Sequence, residues 1–262
     1  MMTDNSAIIR VDPFAALADV YQLAGMADYG VNLAVRLVDL AFEMNWMGRS
    51  VLDVGCGTGD VDCWFSEHGY RVIGLDSSAS MLDYANTTAS AKNVSVELVK
   101  EDIRTYKPES AVEMVLCLGG TLNYLPTLRD LETAFRVVNS ALQPGKLFMF
   151  DLRSIRGLVE QGSGDRILYN NDRDLLIVTR GAFNYDNLLL TQHYIIVRYD
   201  PAAQTWQRAE ETHAIRGYPL QAVSGLLTKT GFHVQRIVTP DMQSVRDSVD
   251  VNQAVVVATK DG

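Results

Sequence analysis

Two hydrophobic periods alternate along the chain. From Ala15 to Met47, apolar residues recur at helical spacing (Leu33, Val35, Leu37, Leu40, Phe42), which predicts one or two helices ahead of the first strand. SVLDVG then reads as a short buried strand, and GDVDCWFSEHG as a helix closed by Gly69. YRVIGLD is a strand and SASMLDYANTTASA a helix, while VSVELVK and AVEMVLCLG read as the third and fourth strands. LRDLETAFRVVNSAL is a helix that ends at QPGK, just before the strand LFMFDL. Strand–helix alternation of this kind predicts an α/β fold with a doubly wound, mostly parallel sheet.

The pattern changes after Asp151. Three extended runs, DLLIVTRGAF, LLLTQHYIIVRY and TWQRAEETHAIR, are joined by the turns NYDN and DPAAQ, which are short enough for antiparallel hairpins. Simple register in the second hairpin sets His193 near Thr212. Alternation resumes with LQAVSGLLTKTG as a helix and FHVQRIVT and NQAVVVATK as strands. The short link between these last two predicts antiparallel neighbours. The organisation expected is an N-terminal helical cap over 1–48, a core over 49–155 and 217–262, and an antiparallel β-insertion over 156–216 that serves as a lid.

Composition narrows the class. The 262 residues suit one large α/β domain with a modest insertion, and 47% apolar with 21% charged residues is ordinary for a globular protein. A net charge of −9 argues against nucleic acid as a partner. Cys56, Cys63 and Cys117 are odd in number and lack a CxxC spacing, so neither a disulfide framework nor a zinc ribbon is expected. The four dispersed histidines make no metal site, and His68 and His233 read as structural. The opening MMTDNSAIIRVDPF has no basic n-region or apolar h-region, and no apolar run approaches a membrane span. A cytoplasmic address without membrane contact is the expectation.

The candidate chemistry begins at VLDVGCGTGD. Gly55, Gly57 and Gly59 come after the first strand, where glycine lets backbone approach a ligand closely. The spacing is one residue shorter than the dinucleotide fingerprint, and the Lys-Ser/Thr pair of a P-loop is missing. Asp53 just before the loop would repel a pyrophosphate and suits a ligand carrying positive charge, as the sulfonium and ammonium of S-adenosylmethionine do. Asp76, ending the second strand, is placed for ribose hydroxyls, and Asp102, after the third, for an exocyclic amine. Each acid alone also fits a helix cap or a solvated strand end.

With these residues the chain resembles the class I S-adenosylmethionine-dependent methyltransferases, over about residues 20–155 and, by topology, the terminal strands. The resemblance implies a Rossmann-like seven-stranded methyltransferase sheet. It also implies that Gly55, Gly57 and Gly59 wrap the methionine portion, Asp76 holds the ribose, and Asp102 with the Ile103 backbone binds the adenine amine. Met81 falls near the adenine face, or packs in the core. Leu118 and Gly119 face the methionine end. CLGGTLNYL, LQPGKLFMFDLRS and ETHAIRGYPLQAVSGLLTKTGF are similar to segments of small-molecule members with a β-insertion, sugar-amine N,N-dimethyltransferases among them. Tyr21 and Tyr29 match the tyrosines that close over the cofactor there. Some sugar N-methyltransferases carry a histidine where this chain has Tyr124, which with an ordinary pKa of about 10 orients better than it accepts protons.

The function expected of the chain is methyl transfer by in-line displacement to N or O of a small-molecule acceptor, with S-adenosylhomocysteine as product. Tyr124 and His213 are the catalytic candidates, and Tyr124, His213 and Arg216 the acceptor contacts. A proline-rich NPPY-like segment after the fourth strand, expected of amino-methylating DNA enzymes, is absent, and Cys117 sits inside an apolar strand. The alternatives are a non-catalytic S-adenosylmethionine-binding regulatory or partner subunit, a nucleic-acid methyltransferase, and aminopropyl transfer. A homodimer is left open.

Overall fold

The computed structural model describes residues 9–11, 13–245 and 251–262, so most of the opening stretch read for a signal peptide lies outside them. The elements run β1 (Ile9–Val11), α1 (Asp28–Glu43), β2 (Ser50–Val54), α2 (Asp60–Glu67), β3 (Arg71–Asp76), α3 (Ala79–Lys92), β4 (Glu97–Lys100) and β5 (Val112–Cys117). Then come α4 (Leu128–Ala141), β6 (Leu142–Arg153), α5 (Ile155–Gln161), β7 (Gly164–Asn170), β8 (Leu175–Asn184), β9 (Leu189–Asp200) and β10 (Thr205–Arg216). The chain closes with α6 (Leu220–Lys229), β11 (Phe232–Val238) and β12 (Gln253–Lys260). Short 3-10 turns cover Ala18–Val20 and Thr121–Tyr124.

Seven strands form the main sheet in the order β11-β12-β6-β5-β2-β3-β4. All neighbours are parallel except β12, which runs antiparallel to both β6 and β11, as the short link predicts. Strand periodicity divides the core between two faces. On β6, Phe148, Phe150 and Leu152 join Phe135, Val138 and Leu227 of α4 and α6. Leu147 and Met149 point the other way, to Leu33 and Leu37 of α1 and Phe65 of α2. Side-chain caps start the helices where the sequence offers them: Ser78 accepts from the Met81 amide, Thr127 from Asp130 and Ser154 from Gly157.

The insertion is a second sheet in the order β1-β10-β9-β8-β7. Its three long strands and their antiparallel pairing agree with the three extended runs, and Thr212 faces His193, with 3.0 Å between Oγ1 and Nδ1. Three elements have no clear sequence signal. β7 is an exposed edge strand without apolar alternation, β1 is a three-residue strand parallel to β10, and α5 spans only seven residues. The 1–48 stretch divides between the two layers. α1 packs on the main sheet, whereas Leu17 and Val20 pack on Leu175, Ile177 and Ile196 of the insertion.

Asn123 ties the layers together. Fully buried, it accepts from the Arg153 amide (2.9 Å) and donates to the carbonyls of Arg153 (3.1 Å) and Arg216 (2.7 Å), joining the ends of β6 and β10. Asn123→Ala leaves three buried backbone groups unpaired and is expected to cost about 2–4 kcal/mol. Urea unfolding checks the cost, and amide exchange should rise first at the Arg216 end of β10. A loss below about 0.5 kcal/mol would contradict the clamp.

Candidate active site

The switch in strand order lies between β2 and β5, since the chain runs outward through β3 and β4 and returns to β5 on the other side of β2. At the carboxyl ends of a sheet such a switch opens a crevice. Here it is a cavity of about 1170 Å³, reaching from the glycine loop to the underside of the insertion. That is ample for a nucleoside cofactor together with a small molecule.

The three glycines do different work. All have positive φ (77°, 57° and 75°). At Gly55 a Cβ would lie 2.5 Å from the Thr121 side chain, and at Gly57 it would meet nothing within 4 Å, leaving that backbone open to the cavity. Gly59 is a correction to the sequence expectation. It is not part of the cavity wall, and a Cβ there would lie 2.9 Å from the Ala85 Cβ, so this glycine brings α2 against α3.

Asp76 is half-buried and lines the cavity, with Oδ2 accepting from the Gly57 amide (2.9 Å) and Oδ1 from Ser78 (2.8 Å). Burial raises its pKa and these amides oppose the rise. Asp102, with Ile103, lines the same wall, and its carboxylate grips the Arg104 guanidinium (2.6 Å), which also reaches Asp130 (3.0 Å). Those bonds hold Asp102 below the usual carboxylate range. Tyr21, Tyr29, Met81, Leu118 and Gly119 complete the expected set on the wall. Met81 is also only 2% exposed, so wall and core meet there. Burial pushes the Tyr21 hydroxyl up to about 12.

Asp53 reaches the wall but is 2% exposed and shares its surroundings with fully buried Asp62, a residue that sequence reasoning did not single out. Gly74 makes the room, since a Cβ there would lie 2.3 Å from Asp62 Oδ2. Burial raises both carboxyls, the Asp76 charge adding to the rise at Asp53 and the Asp53 charge to that at Asp62, so one proton stays within the pair near neutral pH.

At the far end Tyr124 lines the cavity, while His213 lies behind it, fully buried. Tyr124 Oη is 2.8 Å from His213 Nδ1, and His213 Nε2 is 2.8 Å from Glu211 Oε1. Glu211, 2% exposed, also accepts from the amides of Phe14 (3.0 Å), Ala16 (2.9 Å) and Leu17 (3.3 Å). Three backbone amides converge on this acceptor-only carboxylate, so the hydrogen-bond pattern sets the imidazole proton on Nε2, facing Glu211, and leaves Nδ1 to accept from Tyr124. The rings of Phe14 and Tyr194 close round the imidazole, each 4.6 Å away between centroids. Burial pushes the Tyr124 hydroxyl well above its ordinary value. Sequence reasoning missed Glu211, although Glu-x-His in a strand sets both side chains on one face. Arg216 is a further correction: it is absent from the cavity wall, and its carbonyl serves the Asn123 clamp. The cations at that end are Arg153, in the stretch LFMFDLRS, and Arg166.

Comparison with known proteins shows what this chain is similar to. Residues 51–145 match the methyltransferase domain family. YqeM of Bacillus subtilis (strain 168), provisionally named a methyltransferase, is 26% identical over 211 residues, 80% of this chain and 83% of that protein. The solved structure of an S-adenosylmethionine-dependent methyltransferase from Clostridium acetobutylicum ATCC 824 shares the fold with a TM-score of 0.82 at 20% identity, covering 94% of this chain and 98% of its own. The sugar N-methyltransferase KedS8 from Streptoalloteichus sp ATCC 53650 does so with a TM-score of 0.78 at 18% identity, over 100% of both chains. The chain carries a methyltransferase domain and is an enzyme of that class.

The Asp53–Asp62 pair makes stability depend on pH. Both carboxyls are raised in the folded state, so the native protein holds more protons than the unfolded chain. Their contribution is intact below pH about 4 and is lost as pH rises through the folded values, Asp53 at about 7. Asp62→Asn is expected to raise the melting temperature at pH 8, at about 2–4 °C per kcal/mol relieved, with the gain vanishing towards pH 4. Melting curves across that range check it, and a gain that grows on acidification would contradict the assignment.

Proposed function

We propose that this enzyme transfers a methyl group to N or O of a small-molecule acceptor whose nucleophile sheds a proton at Tyr124. The observation that carries this reading is the buried chain Tyr124–His213–Glu211, which meets the cavity at Tyr124. The likeness in fold to a sugar N-methyltransferase supports a small acceptor, as does a cavity roofed by Thr179 and Tyr194 of the insertion.

The glycine-loop end fits the donor. The open backbone at Gly57, with Gly55, Leu118 and Gly119, would hold the methionine portion. Asp76 would take the ribose, Asp102 and Ile103 the adenine, with Met81 beside it, and Tyr21 and Tyr29 would close the wall. The Asp53 carboxyl beneath the loop favours a cationic ligand, whose charge would draw the shared proton off the carboxyl pair. When bound, S-adenosylmethionine supplies a sulfonium methyl group and leaves as a neutral thioether, so the leaving group needs no acid.

Proton removal falls to the protein. As the acceptor's nucleophile bonds to carbon, its proton passes to Tyr124 Oη while the Tyr124 proton passes to His213 Nδ1. The imidazolium so formed keeps Nε2–H on the Glu211 carboxylate, which balances its charge in the interior. High tyrosine pKa suits this role, since Tyr124 relays a proton without resting as tyrosinate.

S-adenosylhomocysteine release is measured against a panel of amino sugars, amines, catechols and phenols, each with and without a carboxylate. The wild type should turn over at least one of them. His213→Gln should lower kcat by about 10²–10⁴-fold, with cofactor Kd within about twofold. Tight cofactor binding without product from any acceptor would overturn the proposal in favour of a non-catalytic binding protein.

A further inference from the structure

We infer that Arg153 is an anion-binding residue at the acceptor end of the cavity, and that the molecule methylated there carries a carboxylate. The inference rests on the acceptor reading above and adds the chemistry by which the acceptor is held.

The chain carries a net charge of −9, yet this end of the cavity is cationic. Arg153 enters it from β6 and Arg166 from β7. The acid beside them, Glu160, is engaged with Asn252 Nδ2 (2.7 Å) and with Arg156 Nε (3.5 Å). Arg153 is half-buried, and among the described residues no carboxylate lies within ion-pair distance of it. Its one side-chain partner there is the amide oxygen of Gln161. Asp151, two residues earlier on the strand, is fully buried and bonds the Gly119 amide (2.7 Å) and the Gln253 side chain, and it meets the Arg153 charge only from beyond ion-pair distance.

A guanidinium offers five donors in a flat fork that matches a carboxylate, and holding one half out of water without a counter-ion is costly. This fold fixes the residue where that cost falls. Asn123 pins the Arg153 backbone from both sides, and the stem runs past Gly120, where a Cβ would lie 3.5 Å from Arg153 Cγ. Tyr21, Tyr29, Tyr124 and Tyr194 share the same wall. The charge of Arg153 reaches all four hydroxyls, opposing the rise that burial imposes on each. One cation among tyrosine hydroxyls, next to the proton acceptor, suits an acceptor gripped by its carboxylate with its nucleophile turned to Tyr124.

The test uses the full chain saturated with S-adenosylhomocysteine and calorimetric titration of matched probes. These are 3,4-dihydroxybenzoate against its methyl ester, and D-glucuronate against D-glucose. At least one carboxylate should bind the wild type tenfold or more tighter than its neutral twin. Arg153→Gln should abolish that preference, Arg153→Lys should keep part of it, and all three proteins should bind S-adenosylhomocysteine within twofold. Equal binding within every pair would overturn the inference. So would an Arg153→Gln protein that loses affinity for S-adenosylhomocysteine but not for 5′-methylthioadenosine, which lacks the carboxylate, because the guanidinium would then belong to the cofactor. Failure of the wild type to bind S-adenosylhomocysteine at all would instead sink the reading on which the inference rests.

Discussion

The site hangs on one hydrogen bond, from the Gly57 amide to Asp76 across the carboxyl ends of β2 and β3. A loop with three alternate residues at positive φ has little intrinsic reason to hold one shape. Asp76 supplies the reason, and its second oxygen on Ser78 fixes the carboxylate in turn at the start of α3. Thr121 packs under Gly55 and Ala85 under Gly59, so the loop is braced on two sides and open only at Gly57. Everything that makes the crevice a site, from the direction of α2 to the space above β5, depends on that bracing.

A second constraint governs the other end. The insertion sheet meets the main sheet through polar groups buried with full partners, which fixes relative position more sharply than apolar contact does. Asn123 joins β6 to β10, and Glu211 gathers the amides of Phe14, Ala16 and Leu17, bringing the N-terminal segment down over Tyr124 and His213. The charges are sorted accordingly. Asp53, Asp60, Asp76 and Asp102 line the glycine-loop end of the cavity, and Arg153 and Arg166 line the end under the insertion.

Much of this was legible in the sequence because it is local. The strand and helix periods, the Ser and Thr caps, the three-strand meander and the antiparallel last strand are written in short-range pattern. Gly55, Gly57, Asp76 and Asp102 could be placed on the cavity wall for the same reason, since each lies at or just past a strand end. What escaped depends on contacts between distant segments. Gly59 looks like its neighbours in sequence, and only the approach of Ala85 separates it from them. Asp62 reads as a polar helix residue until the space beside Gly74 is known. Glu211 needs the N-terminal amides some 195 residues away to become a buried carboxylate. Arg153 lines the cavity and Arg216 does not, and the Asn123 bond to the Arg216 carbonyl at the end of β10 is not visible in the sequence.

The central claim is that one cavity holds the donor at the glycine loop and presents the acceptor to Tyr124. A structure of the full chain with S-adenosylhomocysteine and an oxyanion-bearing acceptor tests it most directly. The account predicts ribose hydroxyls on Asp76, the sulfur beside Leu118 and Gly119, and the acceptor between Tyr124 and Arg153. A nucleoside seated against the insertion strands, with Asp76 holding nothing but Gly57 and Ser78, would contradict it.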